Sequence, residues 1–353
     1  MYTKITYSHL TLARWTQVET FKFFILALVP VVLYEVFDLK WLHLPWLPIA
    51  LIGTAVAFVV GFQNNASYDR IWEARKIWGG IVNASRSWGI MVNDYITNEF
   101  AEEKVSKGEI KQIKKELIYR HIAWLTSLRY AMRAPKPWEH FLKFKTNRMW
   151  SKMIGVREFK YTLEEELEPY VSKKEFDYIL SKTNKATHAI SLQSKQLKRL
   201  RKRGLIEDFR HMEMENMLVE FFTLQGKSER IKNFPYPRQF ATLNHNFVWI
   251  FLILLPFGIM HEFNEIGMKL VGSYPFIGKH FVWLSIPFSV MISWVFHTME
   301  RIGRTGDNPF EGTANDVPIT TMSRGIEIDL REMLDEPEEI IPKPIEVKYD
   351  TQM

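Results

Sequence analysis

Residues 48–79 read PIALIGTAVAFVVGFQNNASYDRIWEARKIWG, apolar enough for lipid in the first half and charged and aromatic in the second. Nothing separates the halves, so the stretch predicts one continuous helix that leaves a membrane and enters water. Thr54, Phe58 and Phe62 recur at every fourth position and share one helical face. Gly53, Ala57 and Gly61 keep the same interval on the adjacent face, a small-xxx-small stripe of the kind that lets transmembrane helices approach closely. The first set then points at an axis shared by several helices. The next turns carry Asn64, Asn65, Tyr68 and Asp69, so an apolar constriction would open into a polar space, the layout of a pore neck above a vestibule. The same spacing also suits a face packed in a core or turned to lipid.

Three more apolar runs accompany this one, at residues 23–37, 247–260 and 281–296, while the run containing Phe58 covers 45–62. Each is 14 to 18 residues long, at or below the ~20 that a spanning helix usually needs. Their arrangement in two closely spaced pairs favours four spans over a soluble helical core. Each run holds or adjoins a proline (Pro30, Pro48, Pro256, Pro287), which transmembrane helices tolerate better than soluble ones. Several of the 12 tryptophans, among them Trp41, Trp46, Trp249, Trp283 and Trp294, fall near run ends, where interfacial belts place them. Mean hydropathy is slightly negative, low for a pure membrane bundle and suited to a membrane part with a large water-facing part. The short loops at 35–45 and 261–280 hold only Lys40, Lys269 and Lys279 of the 46 basic residues. By the positive-inside rule both loops lie outside, and both termini and the middle of the chain are cytoplasmic. No cleavable signal peptide is expected, because residues 1–20 lack a continuous apolar stretch.

The domain reading is 1–63 for the N-terminal segment and spans 1 and 2, 64–245 for a helical cytoplasmic domain, 246–298 for spans 3 and 4, and 299–353 for a cytoplasmic C-terminal segment. Within 64–245, Ile71, Ile77, Trp78, Ile81, Trp88 and Met91 continue a helical stripe. Leu117, Ile118, His121, Ile122, Leu125 and Leu128 form a second, ended by Ala134-Pro-Lys-Pro. Residues 135–160 are read as loop with short helices. Residues 164–203 are read as polar and helical with an amphipathic beat, Gly204 breaks that region, and 206–224 forms another helix ending at Gly226. Residues 301–310 are read as a loop, 319–334 as a short amphipathic helix, and 337–353 as an extended acidic tail.

The chain has no cysteine, which excludes disulfides, Cys-ligated zinc, Fe–S clusters and a Cys nucleophile. There is no Walker loop, G-x-G-x-x-G or G-x-S-x-G, and His261-Glu262 lacks the second His of a zinc pair. His121, His188 and His211 are scattered without ligand spacing, so ordinary polar contacts are expected, with no metal and no cofactor. The net charge of +6 is modest and does not point to nucleic acid. Residues 195–203 carry six cations in nine positions, read as a solvated helix end favoured by the helix dipole, with attraction of anionic headgroups or anions as the functional alternative.

The segment GFQNNASYDRIWEARKIWGGIVNASR (61–86) closely resembles the region after the second span of prokaryotic bestrophins. Gly226-Lys-Ser-Glu-Arg-Ile231 with Pro235-Tyr-Pro237, Asp307-Asn-Pro-Phe310, and Asn315-Asp-Val-Pro-Ile319 with Arg324-Gly-Ile-Glu-Ile328 resemble further family stretches in the same order. The resemblance implies an all-α homopentamer of four-span subunits around one ion-conducting pore. The three neck positions of the family fall on Thr54, Phe58 and Phe62; the family is apolar at all three, so Thr54 implies a wetter outer ring. A second, cytosolic constriction is implied after Gly204, with Phe209 as candidate. Animal members bind calcium through an acidic run after Asn-Pro-Phe; here it reads Glu311-Gly-Thr-Ala-Asn-Asp316 and keeps too few of the oxygens calcium wants.

The expected function is a channel for small monovalent ions in a bacterial inner membrane, with itself, lipids and the ion as partners. Aromatic edges and basic residues favour anions, whereas Asp69, Glu262 and Glu265 favour cations; the balance leans to cations. The alternative is a non-conducting scaffold or regulatory subunit docking a partner through residues 337–353. An enzyme is not expected.

Overall fold

The described residues, 1–139 and 145–353, fold in this computed structural model as helices joined by short turns. In chain order these are α1 (His9–Glu35), α2 (Trp46–Tyr95), α3 (Lys107–Arg133), α4 (Lys145–Ile154), α5 (Arg157–Lys160), α6 (Leu163–Leu167), α7 (Lys173–Leu180), α8 (Lys185–Lys202), α9 (Asp208–Asn233), α10 (Arg238–Leu270), α11 (Pro275–His280), α12 (Ser285–Gly306) and α13 (Ile319–Glu332). Side-chain caps start many of them. Ser8, Ser106, Ser172 and Asn184 each accept from a backbone N–H three residues on, and Thr162 with Glu165 closes a reciprocal capping box. α8 stops at Gly204, which takes φ +69° while Leu205 N–H bonds Leu200 C=O and Gly204 N–H bonds Arg201 C=O. This paired closure satisfies carbonyls that the helix end leaves open, and only glycine enters that left-handed region without strain.

The chain divides into two units. The apolar unit comprises Lys4–Asp69 and Tyr236–Asp307; the larger unit comprises Met1–Thr3, Arg70–Pro235 and Asn308–Met353. The boundary crosses α2, which therefore contributes its first half to one and its second half to the other. In the apolar unit Phe23, Val56, Val60, Val248, Phe251 and Leu255 form one buried cluster, and Ala27, Val31, Tyr34, Met260 and Val282 a second. Four stretches among the described residues are long and apolar enough to cross a membrane: His9–Glu35, Lys40–Tyr95, Arg238–Leu270 and Pro275–Gly306.

The larger unit has a conventional core. Trp78 and Trp88 of α2, Trp124 of α3 and Phe221 of α9 are fully buried, with ring centroids of Trp124 and Phe221 4.9 Å apart. Trp124 Nε1–H donates to Gln225 Oε1 at 2.9 Å, so its one polar atom is satisfied. Burying each such ring contributes about 1.5–3 kcal/mol before entropy. The expected stripes are where they belong: Ile77, Trp78, Ile81 and Trp88, and all six of Leu117 to Leu128, are buried, while Ile71 and Met91 are half-buried.

Several expectations about boundaries are corrected. The helices outrun their apolar segments at both ends. α10 continues through Glu262 and Glu265 to Leu270, leaving 271–274 as the turn before α11. Residues 301–306 belong to α12 and are not a loop, because Arg301 pairs with Glu19 at 3.3 Å and Glu300 with His245 at 3.2 Å, so the charges are held inside the unit. Gly226 does not end α9. Ser228, Ile231 and Lys232 bury the next turns, and that packing outweighs the ~1 kcal/mol a mid-helix glycine costs. Residues 342–347 run without helix or turn, as expected of an extended tail, but the end of the segment is anchored: Thr351 and Met353 are buried, and Met353 C=O accepts from Thr321 N–H and Oγ1. Of 135–160, residues 140–144 lie outside the described residues.

Candidate functional site

The rotation of α2 in the apolar unit is set by what its buried side meets. Gly53 lies under Phe251, where a Cβ would come within 2.7 Å of the ring. Val56 and Val60 fill the core one and two turns on. Gln63 Oε1 then accepts from Asn244 Nδ2 at 3.1 Å, and the Ser67 hydroxyl donates to Asp307 Oδ1 at 2.6 Å. These contacts tie α2 to α10 and to the residue capping α12. With that side fixed, the opposite face is left open by the chain. Thr54 is exposed, and Phe58 and Phe62 are 66% and 71% exposed. They line a groove of about 740 Å³ together with Ala57, Gly61, Asn65 and the rings of Phe251 and Phe296.

The small-residue stripe divides. Gly53 is used within the subunit, whereas Ala57 is exposed and a Cβ on Gly61 would meet nothing within 4 Å. The Thr54 hydroxyl donates to Ala50 C=O at 3.0 Å, so its proton is committed to its own helix and its lone pairs face outward. Asn65 and Asp69 are exposed beyond the aromatic pair, but Asn64 is half-buried and turned to α12, with Oδ1 2.5 Å from where a Cβ on Gly303 would stand. Adjacent asparagines thus part by helical phase, Asn65 lining the groove and Asn64 turned from it. Gln63 and Ser67 are buried positioning residues of α2 that the sequence reading missed. Their signal was present, since they continue the 53, 56, 60 buried stripe at helical spacing.

Phe209 stands in the larger unit at the start of α9, 77% exposed beside the exposed Met212. Glu207 caps the helix by accepting from Phe209 and Arg210 N–H, and Asp208 pairs with Arg201 at 2.6 Å. The basic run behaves as a helix end: Leu197 and Leu200 are buried, Arg203 pairs with Glu109, and Lys198, Arg199 and Lys202 are exposed.

The acidic run after Asn308 has its own partners. Asp316 accepts from Gly312 N–H at 2.7 Å, Thr313 N–H at 3.0 Å and the Thr313 hydroxyl, and Glu311 accepts from Asn308 at 2.7 Å. Burial pushes the Asp316 carboxyl up from the usual range against the pull of Arg133. Burial opposes charge on Glu158 too, but Arg129, Arg133 and the Thr320 hydroxyl outweigh it and hold Glu158 below the usual carboxylate range.

Comparison with known proteins agrees with this architecture. The "Voltage-dependent anion channel-forming protein YneE" of Escherichia coli is 26% identical over 298 residues, 84% of this chain and 80% of that protein. The "Voltage-dependent anion channel-forming protein RSc3414" of Ralstonia nicotianae is 24% identical over 304 residues, 84% of this chain and 82% of its own. The crystal structure of a bacterial bestrophin homologue from Klebsiella pneumoniae superposes with a TM-score of 0.68 at 22% identity, covering 90% of this chain and 98% of that one, which shows a shared fold. The four apolar helices of spanning length make this a membrane protein. The model of the Bacterial/Fungal Bestrophin protein family matches residues 14–332, nearly the whole stretch from α1 to the end of α13, and the chain belongs to that family.

Proposed function

We propose that the chain is one subunit of a pentameric ion channel whose neck is lined by Thr54, Phe58 and Phe62. The observation that carries this reading is the open face of α2, where two aromatic rings and a threonine stand uncovered with the unfilled shoulders of Ala57 and Gly61 beside them. A neighbouring copy of α2 seated on those shoulders buries them and turns the rings toward a common axis. Such a ring of phenylalanines gates by dewetting, and ions pass when it is hydrated. Asn65 and Asp69 then receive the ion, and Phe209 narrows the path again on the cytoplasmic side. The basic residues at span ends orient both termini to the cytoplasm of a bacterial inner membrane.

The carried ion is small and monovalent. The relatives, named as voltage-dependent anion channel-forming proteins, speak for anions. Asp69 and the outward lone pairs of Thr54 speak for cations, since a hydroxyl whose proton is committed offers only an acceptor. Purified protein in planar bilayers under a salt gradient tests both points. Alanine at Thr54, Phe58 and Phe62 together raises conductance, and the sign of the reversal potential decides the ion. Unchanged currents in the triple variant remove these positions from the neck. The scaffold reading is weaker, because the end of its docking segment is held by Thr321.

A further inference from the structure

A second cavity, of about 380 Å³, lies in the larger unit between α3, α6 and α13. No part of the conduction reading uses it. Its floor is built from buried polar groups. Arg129 sends one guanidinium nitrogen to Glu158 at 2.7 Å and another to Glu166, and its Nε–H has no partner. Ser323, 8% exposed, likewise has a buried hydroxyl with no partner. Each unpaired buried donor costs roughly 1–3 kcal/mol unless something accepts from it.

Of the three carboxylates lining the cavity, Glu165 is exposed and accepts from Thr162 N–H at 2.8 Å, and the other two are held by cations. Glu166 holds Arg129 and Arg157, and Glu327 accepts from the Tyr170 hydroxyl at 2.7 Å and pairs with Arg324 at 3.0 Å and Arg331 at 3.4 Å. Arg157 and Arg324 each commit one nitrogen to these pairs, and a guanidinium has five donors. The unmet demand, at Arg129 Nε–H and the Ser323 hydroxyl, is thus for an acceptor, and a charged one gains most beside guanidinium groups. Beside Thr126 and Thr320, the remaining lining offers an apolar patch of Ile122, Leu125 and Ile345, with the Tyr161 ring at the exposed rim. An inorganic ion leaves most of this volume empty. A cavity this size sits at the small end of organic ligand sites.

We propose that this cavity binds a small organic acid, its anionic head taken by Arg324, Arg157 and Ser323 and its apolar body by Ile122, Leu125 and Ile345. The contacting residues come from helices more than 150 positions apart in sequence, so the ligand would join α3 to α13 and stabilise the larger unit by mass action.

The test uses purified full-length protein in detergent, titrated calorimetrically with sodium benzoate, neutral benzamide and sodium phosphate. Benzoate binds saturably and raises the unfolding temperature, while benzamide and phosphate bind at least tenfold more weakly. Ser323→Val and Arg324→Gln each weaken benzoate roughly tenfold, the loss of one charge-assisted hydrogen bond. Arg157→Gln, at the half-exposed rim, keeps the fold and gives the same direction of change should either buried variant fail to fold. Absence of saturable benzoate binding at millimolar concentration, phosphate binding as tightly as benzoate, or equal binding by all variants overturns the proposal. These outcomes do not touch the conduction reading, which rests on the other unit.

Discussion

His121 illustrates how a single residue is decided by its neighbours. Ser85 Oγ donates to Ile81 C=O at 2.7 Å, so the 2.9 Å contact from His121 Nε2 to that oxygen has the imidazole as donor, and the ring is the neutral Nε2–H tautomer. Trp88, Trp124 and Phe221 surround it, and burial pushes its pKa down to about 3. An unfolded histidine titrates near 6.5, so below that pH the unfolded chain takes up a proton the folded one refuses. Stability from this group is complete above about pH 6.5 and is lost as pH falls toward about 3, with a slope approaching 1.4 kcal/mol per unit. Thermal unfolding of wild type and His121→Gln from about pH 7.5 down to about pH 4 checks it, a range that covers the upper part of that window. The difference between the two should shrink as pH falls, and parallel curves would rule the mechanism out. The sequence offered His121 only as one of three scattered histidines. Its role as a buried donor depends on Ser85, thirty-six positions away, and no local pattern announces that pairing.

At the scale of elements, α2 and the α8–α9 junction behave differently. α2 was readable because its period never changes: 50 residues, about 75 Å of helix, keep one side buried throughout. Its lower half closes on α13 at Gly89, where a Cβ would stand 2.7 Å from Leu330. The junction was readable because Gly204 is punctuation. There a Cβ would lie 2.5 Å from the Phe100 carbonyl as well as in the left-handed region. Gly204→Ala is therefore expected to destabilise the larger unit by at least the ~1–2 kcal/mol of a left-handed L-residue. Denaturant unfolding measures it, and a change under 0.5 kcal/mol, about the scatter of surface substitutions, would show that the loop relaxes freely. Gly226 misled for the opposite reason. Its backbone is ordinary helix, and what holds it is the burial of Ile231 and Lys232 one turn later. The charged end of α12 misled likewise, because a run of Arg and Glu reads as surface until Glu19 and His245 are brought against it.

For the whole molecule the decisive quantity is subunit number. A pentamer of 41.8 kDa chains has a protein mass of about 210 kDa. Light scattering of the detergent-solubilised particle, corrected for bound detergent, is expected to give that value, and a monomer or dimer would restore the scaffold reading. The open face of α2 belongs to this scale. Phe58 and Phe62 are uncovered in one chain because what covers their shoulders is proposed to be another.

Residue order was enough for the four apolar stretches, the long second helix, the helical character of the rest and the identity of the residues on each face of α2. Those follow from periodicity, punctuation and apolar length, all local properties. Which face of α2 is buried was settled by long-range packing, since it depends on Phe251, Asn244 and Asp307, distant residues that seal one side. Such packing also decided where the helices end, whether Asn64 faces the groove, and that Arg129, Ser323 and Arg324 surround one cavity. Each of these is a question of which distant side chain satisfies a buried atom, and spacing along a single helix carries no record of it.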